Sequence, residues 1–313
     1  MTPTEAKQKL IDAGLILEAE GHHDMTRGHI SVRVPGKPEL FYMKPHSHGF
    51  DEMTMDNIIT CNLEGEKVEG TAPRHSEVYI HSEILRIRPD ITSVIHSHPD
   101  HAVAVSTLGR QIRAWSQPSA LFVDKLGWFT ETIDLIRRKD QGAGVARALG
   151  PHAVCMMKSH GIAIAGRTIE DAVVTGIMLE NACRIQLLVE AAGNPLKEFP
   201  PDDLALLQEK VSRLDQMAVN FDYLRRKVRR GEYIVLGPSD GLVATDSDRT
   251  AAVRAAVGRL KSGYELLTLY RGRDIDHATG QQLRDALAIE LEGVEIELVE
   301  GGQPHYDFLI AAE

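Results

Sequence analysis

Apolar positions recur along this chain in two rhythms, one of three to four residues and one of two, and their alternation divides it into helices and strands. Residues 4–20 carry Leu10, Ile11, Leu15 and Leu17 on a helical stripe that Gly21 ends. Residues 30–34 alternate apolar and polar, Pro35-Gly36 turns the chain, and residues 40–43 return beside them; a further strand at 57–62 precedes a turn at Gly65. Pro73 opens a predicted helix bearing Val78, Ile80, Ile84, Leu85 and Ile87, which must stop near Pro89. Residues 91–98 then read as a strand, and a helix begins near Asp100. A helix over 131–149 leads into a strand at 153–157, a tight Ser159-His160-Gly161 turn and an antiparallel neighbour at 162–165. Thr168 with Asp171 three residues on marks a helix start that runs to Gly193-Asn194-Pro195, and a last helix is predicted over 202–229.

This order predicts a mixed, mainly antiparallel sheet flanked by helices. The tail alternates anew, with helices at 249–260 and 278–291 and strands at 265–270, 294–299 and 306–311, so it reads as a separate small α+β unit. A chain of 313 residues suits two domains, here 1–224 and 225–313. Charge supports the division: residues 231–313 hold 15 Asp and Glu against 7 Lys and Arg, a balance of −8 out of the chain's −10. Such acidity repels phosphate backbones, and the dense basic run Arg225, Arg226, Lys227, Arg229, Arg230 fits a solvated helix end at the junction, so no nucleic-acid partner is expected.

Composition narrows the class further. Apolar residues at 43% and charged ones at 26% are ordinary globular values, so a buried core is expected. The N-terminus lacks the apolar core of a signal peptide and no run approaches the ~20 residues of a membrane helix, so the expectation is a cytoplasmic protein without a membrane partner. Cys61, Cys155 and Cys183 form no CxxC pair and read as buried thiols.

The candidate chemistry lies in histidines. On a strand, side chains at i and i+2 share one face, so His96 and His98 project together. His160 sits in a turn beside a glycine, where a large polar ring has little packing value and good access to a pocket. Three imidazoles with an open fourth position suit a catalytic divalent ion: zinc first, with manganese, iron or cobalt also compatible. Glu77, near the start of its helix, is placed to fold back toward the HxH strand, as a fourth ligand or a general acid and base. His22, His23 and His48 read as solvated surface residues.

The run Pro73-Arg74-His75-Ser76-Glu77, then Arg88-Pro89-Asp90, Val94-Ile95-His96-Ser97-His98, Ala102-Val103-Ala104-Val105-Ser106 and Ser159-His160-Gly161, resembles the class II aldolase and adducin family over about residues 5–220. The resemblance implies an α/β fold, a three-layer αβα arrangement around a mainly antiparallel sheet. It also implies a homotetramer with interfacial sites, one divalent ion per protomer held by His96, His98 and His160, and Glu77 as catalytic acid/base. Members include phosphosugar aldolases, aromatic acid decarboxylases and the non-catalytic adducin head.

Where the phosphosugar aldolases carry Thr-Ser-Gly-Asn, Thr-Gly and Ser-Ser-Glu to cradle phosphate, this chain has Thr26-Arg27-Gly28-His29, Lys44-Pro45-His46-Ser47-His48-Gly49 and His75-Ser76-Glu77. Such a set still wants an anion, and charge-assisted bonds to a planar carboxylate fit it at least as well. The substrate-binding candidates are therefore His29, Lys44, Arg74 and Ser76. The expected function is a metal-dependent carbon–carbon lyase acting on a small anionic molecule, favoured as a decarboxylase of a hydroxylated aromatic or heteroaromatic (di)carboxylate. A retro-aldolase is the alternative, and an adducin-like interaction module is the reading from a different class. The tail, with Gly301-Gly302-Gln303-Pro304-His305-Tyr306, is similar to the C-terminal domain of the catalytic component of bacterial fatty-acid kinases, without the kinase domain.

Overall fold

The computed structural model of the protein describes residues 1–193, 197–229, 233–237, 241–260, 263–273, 275–291, 293–303 and 306–313; Asn194, Pro195, Arg230, Pro304 and His305, named above, lie outside them. The chain divides into two compact units, Met1–Val228 and Arg229–Glu313.

The first unit opens with α1 (Pro3–Ala19), which Thr2 and Glu5 cap reciprocally. Strands β1 (His29–Val34), β2 (Lys37–Met43), β3 (Ile59–Asn62) and β4 (Lys67–Glu69) follow as a meander. After α2 (Val78–Ile87) come β5 (Ser93–Ser97), α3 (Asp100–Leu108), β6 (Leu126–Phe129) and α4 (Lys139–Leu149). Then β7 (Val154–Met157), β8 (Gly161–Gly166), α5 (Ile169–Ala191), α6 (Pro201–Val211) and α7 (Leu214–Val228) complete the unit. The strands form one eight-stranded sheet in the order β4-β3-β2-β1-β5-β8-β7-β6, antiparallel throughout except for the parallel β6–β7 pair. The α/β class and its mainly antiparallel sheet are as expected.

Period-two alternation sorts the sheet's side chains into two cores. Ile30, Val32, Ile95, Ile162 and Ile164 pack with residues of α1, α3, α5 and α7 on one face. Phe41, Met43, Val94 and Ala163 pack with residues of α2 and α4 on the other. Helices α2 and α4 approach so closely that a Cβ on Gly142 would stand 2.4 Å from the carbonyl oxygen of Tyr79, which explains glycine inside a helix. By length and composition α5 would pass for a membrane span, but half of that apolar window is buried, and it packs on α1, α3, α7 and β8 as a core helix.

Three predicted helices differ, each for a local reason. Residues 73–77 are not helical: the Pro73 carbonyl accepts from His46 N (3.0 Å) and Glu77 N bonds its own neighbour's ring at His75 Nδ1 (3.3 Å), so the first helical bond is never made. Residues 131–138 form a loop, because Gln141 Oε1 accepts from the amides of Arg137 and Arg138 and starts α4 only at Lys139. The predicted 202–229 helix is broken at Ser212, where α6 ends; Ser212 O accepts from Arg167, and Arg213 pairs with Asp215. Strands β4 and β6 are too short to show a rhythm.

In the second unit, β9 (Tyr233–Gly237) and β10 (Gly241–Asp246), both absent from the sequence expectation, form an antiparallel pair. Helix α8 (Arg249–Val257) precedes β11 (Leu266–Arg271), α9 (His277–Glu290), β12 (Glu295–Glu300) and β13 (Phe308–Ala312). The three-stranded sheet runs β12-β11-β13, parallel on one side of β11 and antiparallel on the other. Leu267 and Leu269 of its central strand pack with Val253, Val257, Leu283 and Leu287 into a core of its own.

Candidate metal and acid-base site

Register builds the site. His29 of β1 lies directly opposite His96 of β5, and His96 lies opposite Ala163 of β8, so the middle of the sheet presents two imidazoles on the face that α2 covers. His98 follows one residue past the end of β5, and His160 reaches the same place from the β7–β8 turn. That turn is held by Ser159 in the left-handed region (φ 55°) and by the Ser159 amide donating to Ser106 Oγ at 3.2 Å. Only glycine fits at 161, where a Cβ would lie 2.5 Å from Ser97 O and 2.6 Å from the His98 ring.

Ligand atoms of His96, His98 and His160 lie within 4.8 Å of one another. Nδ1–H of His96 donates to Ile162 O at 2.9 Å, which leaves its Nε2 lone pair facing His98 Nε2 at 3.0 Å. Nδ1 of His98 stands 3.2 Å from Asp24 Oδ2, an acid placed to take that ring's proton on the far side. Two lone pairs facing across 3.0 Å repel unless a cation lies between them, and a tetrahedral zinc site separates its nitrogens by about 3.3 Å. Both ring nitrogens of His160 are buried without a hydrogen-bond partner. Burial lowers the pKa of all three rings, His160 to about 4, so they are held as neutral ligands. These residues fit a divalent ion.

Glu77, 2% exposed, closes the site from the N-cap position of α2. Oε1 accepts from Ile136 N at 2.8 Å and stands 3.7 Å from His160 Nε2, while Oε2 stands 3.9 Å from His96 Nε2 and 3.7 Å from His29 Nε2. Burial raises the pKa of this carboxyl, as suits a group that must exchange a proton. His29, Glu77 and His96 make a second set with metal-ligand spacing that overlaps the first.

The cluster floors a cleft of about 730 Å³. Of the sequence-read anion grips, Ser76 lines it, but His29, Lys44 and Arg74 do not. His29 is wholly buried behind Glu77. The ammonium of Lys44 is enclosed by the carbonyls of Thr26, Pro45 and His48, and burial brings its pKa down to about 8. Arg74 lies over the Tyr79 ring and donates to His75 O. Charge alone marked these residues; the direction of their side chains decides otherwise. The cations that do line the cleft are Arg27 and Arg137. Arg27 sits in the segment that differs from the phosphosugar pattern, a signal that was present, whereas nothing in the local pattern marks Arg137.

His22 also departs from expectation. It is fully buried, bonds Ser97 Oγ through Nδ1 at 2.9 Å, and its pKa is lowered to about 4 by desolvation. Desolvation likewise brings His75 and His81 to about 3, from an ordinary value of 6.5. The sign of the pH effect follows. Between pH 6.5 and 4 the unfolded chain binds protons that the folded chain refuses, so stability present above pH 6.5 is lost as pH falls, at about 1.4 kcal/mol per pH unit for each such ring. The urea midpoint of chelated protein is expected to fall continuously from pH 7 to 5; a flat midpoint would show that these rings accept protons in the fold.

Fold and cluster together define a protein of the class II aldolase type, a metal-dependent class. Residues 8–187 match the family model described as Class II Aldolase and Adducin N-terminal domain, and the chain belongs to that family. Residues 205–313 match the model for the C-terminal region of fatty acid kinase catalytic chains and their like, so both resemblances read from the sequence hold. The chain is 29% identical over 220 residues to a 3,4-dihydroxyphthalate decarboxylase of Arthrobacter keyseri, covering 67% of this chain and 88% of that one. It is 31% identical over 181 residues to the decarboxylase NovR of Streptomyces niveus, covering 57% and 67%. The solved L-fuculose 1-phosphate aldolase from Glaciozyma antarctica PI12 superposes with a TM-score of 0.65 at 25% identity, covering 72% of this chain and 89% of that one.

Proposed function

We propose that this chain is a divalent-metal-dependent carbon–carbon lyase that decarboxylates a hydroxylated aromatic or heteroaromatic (di)carboxylate. The observation that carries the proposal is a buried carboxylate, Glu77, facing three neutral imidazoles at the floor of a cleft whose walls hold two guanidinium groups. His96, His98 and His160 would hold the ion, with zinc favoured by the all-nitrogen set. When bound, the ion supplies Lewis-acid stabilisation of the negative charge that develops as the bond breaks.

The protein's own groups do the rest. Arg27 and Arg137 pair with substrate carboxylate, and Val103, Ile133 and Leu135 offer the apolar wall a ring would pack on. Glu77, its proton retained by burial, delivers that proton to the ring carbon as carbon dioxide leaves. Lys44 and Arg74 hold the wall segments around 26–48 and 74–79 in place rather than gripping substrate. Similarity to two decarboxylases supports this reading. Similarity to an L-fuculose 1-phosphate aldolase supports the second, aldol cleavage, in which the same carboxylate takes a hydroxyl proton.

Hydroxyaryl carboxylates and phosphorylated ketoses, each tested with the zinc- or manganese-loaded protein for carbon dioxide and for aldehyde, separate the two. Carbon dioxide without aldehyde is the expected result, and aldehyde alone would reverse the order. Arg137→Ala is expected to raise KM for the carboxylate substrate about tenfold with kcat within threefold, a loss of binding shared by ground and transition states. An unchanged KM would remove Arg137 from the substrate's contacts.

A further inference from the structure

Three buried groups beneath Glu77 have no part in the scheme above. His81 of α2 is one helical turn past Glu77, so it faces the sheet directly below the carboxylate. It meets both β1 side chains of that face: His81 Nε2 is 2.6 Å from His29 Nδ1, and His81 Nδ1 is 2.7 Å from Ser31 Oγ. All three residues are fully buried. Ring nitrogens 2.6 Å apart must share one proton, so the chain Ser31–His81–His29 has two orderings.

In one ordering, His29 Nδ1–H donates to His81 and His81 Nδ1–H donates to Ser31, whose own hydroxyl hydrogen then has no acceptor among the described residues. In the other, the Ser31 hydroxyl donates to His81 Nδ1, His81 Nε2–H donates to His29 Nδ1, and every proton but the last is used. A buried hydroxyl hydrogen left unpaired is costly, which selects the second ordering. That ordering puts the remaining proton on His29 Nε2, which has no hydrogen-bond partner and stands 3.7 Å from Glu77 Oε2.

We infer that His81, fixed by Ser31, locks His29 as the Nε2–H tautomer, so that His29 is a positioning donor for Glu77 and not a metal ligand. The consequence is a choice between two overlapping clusters: the ion belongs to His96, His98 and His160, because a protonated Nε2 has no lone pair to offer. Glu77 keeps one oxygen on Ile136 N and the other toward His29, an orientation that leaves the carboxylate facing the cleft. The inference rests on the proposed acid/base role of Glu77 only for its effect on turnover; the tautomer and the ligand set stand apart from it.

Zinc-loaded full-length protein labelled with 15N-histidine reports each ring's tautomer through long-range 1H–15N correlations, assigned with His29→Gln and His81→Gln. His29 and His81 are expected to be Nε2-protonated, and His29→Gln, whose side-chain amide keeps a donor near that point, to retain one zinc per chain with an affinity within threefold of wild type. His29→Leu, which offers no donor, is expected to keep the zinc and lose at least tenfold in kcat, with recovery in His29→Gln. A bare Nε2 on His29, or a zinc affinity that drops tenfold or more in His29→Gln, would overturn the inference. Normal turnover in Glu77→Gln would sink the acid/base role alone and leave these spectroscopic and metal-binding results to decide the tautomer.

Discussion

Glu77→Gln is expected to lower turnover by about 10²- to 10⁴-fold while the protein keeps its fold and its metal, the range typical for loss of a positioned acid or base. The variant isolates chemistry because of what the carboxylate touches. Gln retains an oxygen to accept from Ile136 N, so the 131–138 wall stays anchored, and it nearly preserves the volume of a side chain only 2% exposed. What it loses is the exchangeable proton. Zinc content measured by elemental analysis beside kcat checks both halves, and a variant within threefold of wild-type turnover would leave the carboxylate without a role in proton transfer.

His160→Ala is expected to strip the ion and bring activity down to the metal-free background. It is a cleaner probe than His96→Ala. His96 donates to Ile162 O from the core, so its removal leaves a buried carbonyl unpaired, whereas both nitrogens of His160 have no partner to lose. Little change in the urea midpoint of the chelated protein should therefore accompany the loss of zinc. One ion per chain and intact turnover in His160→Ala would refute the three-histidine site.

The same rings set the acid limit of metal retention. A free histidine would surrender its ion near pH 6.5, the expectation from sequence alone. With His160 brought down to about 4 by burial, protons compete later, and zinc should remain bound at pH 6 and leave as pH falls toward 4.

The metal cluster was legible because it depends on rules that survive without coordinates. Strand periodicity put His96 beside His98, and a polar ring in a glycine turn marked His160. Glu77 was placed correctly by motif although the helix assigned to it was too long, since the two bonds that withhold residues 73–77 from α2 come from His46 and from the His75 ring. Arg27, Arg137 and the roles of Lys44 and Arg74 were not legible. Their residues sit on irregular segments, and whether a cation enters a cleft or turns back onto carbonyls is settled by loop geometry. His81 lay between these extremes: its place four residues after Glu77, opposite a β1 face carrying His29 and Ser31, was readable in principle.

The two family matches do not meet at the joint between the compact units. The C-terminal match begins at residue 205, inside α6, while the first unit extends to Val228. Helix α7 thus belongs by descent to the tail and by packing to the lyase fold, where Met217 and Phe221 sit 2% exposed in the core with Leu10, Ile169 and Val173. The ancestral splice is therefore mortised, with one lineage's helix let into the other's hydrophobic interior, so neither partner can be exchanged as a cassette at the sequence seam without opening the older fold.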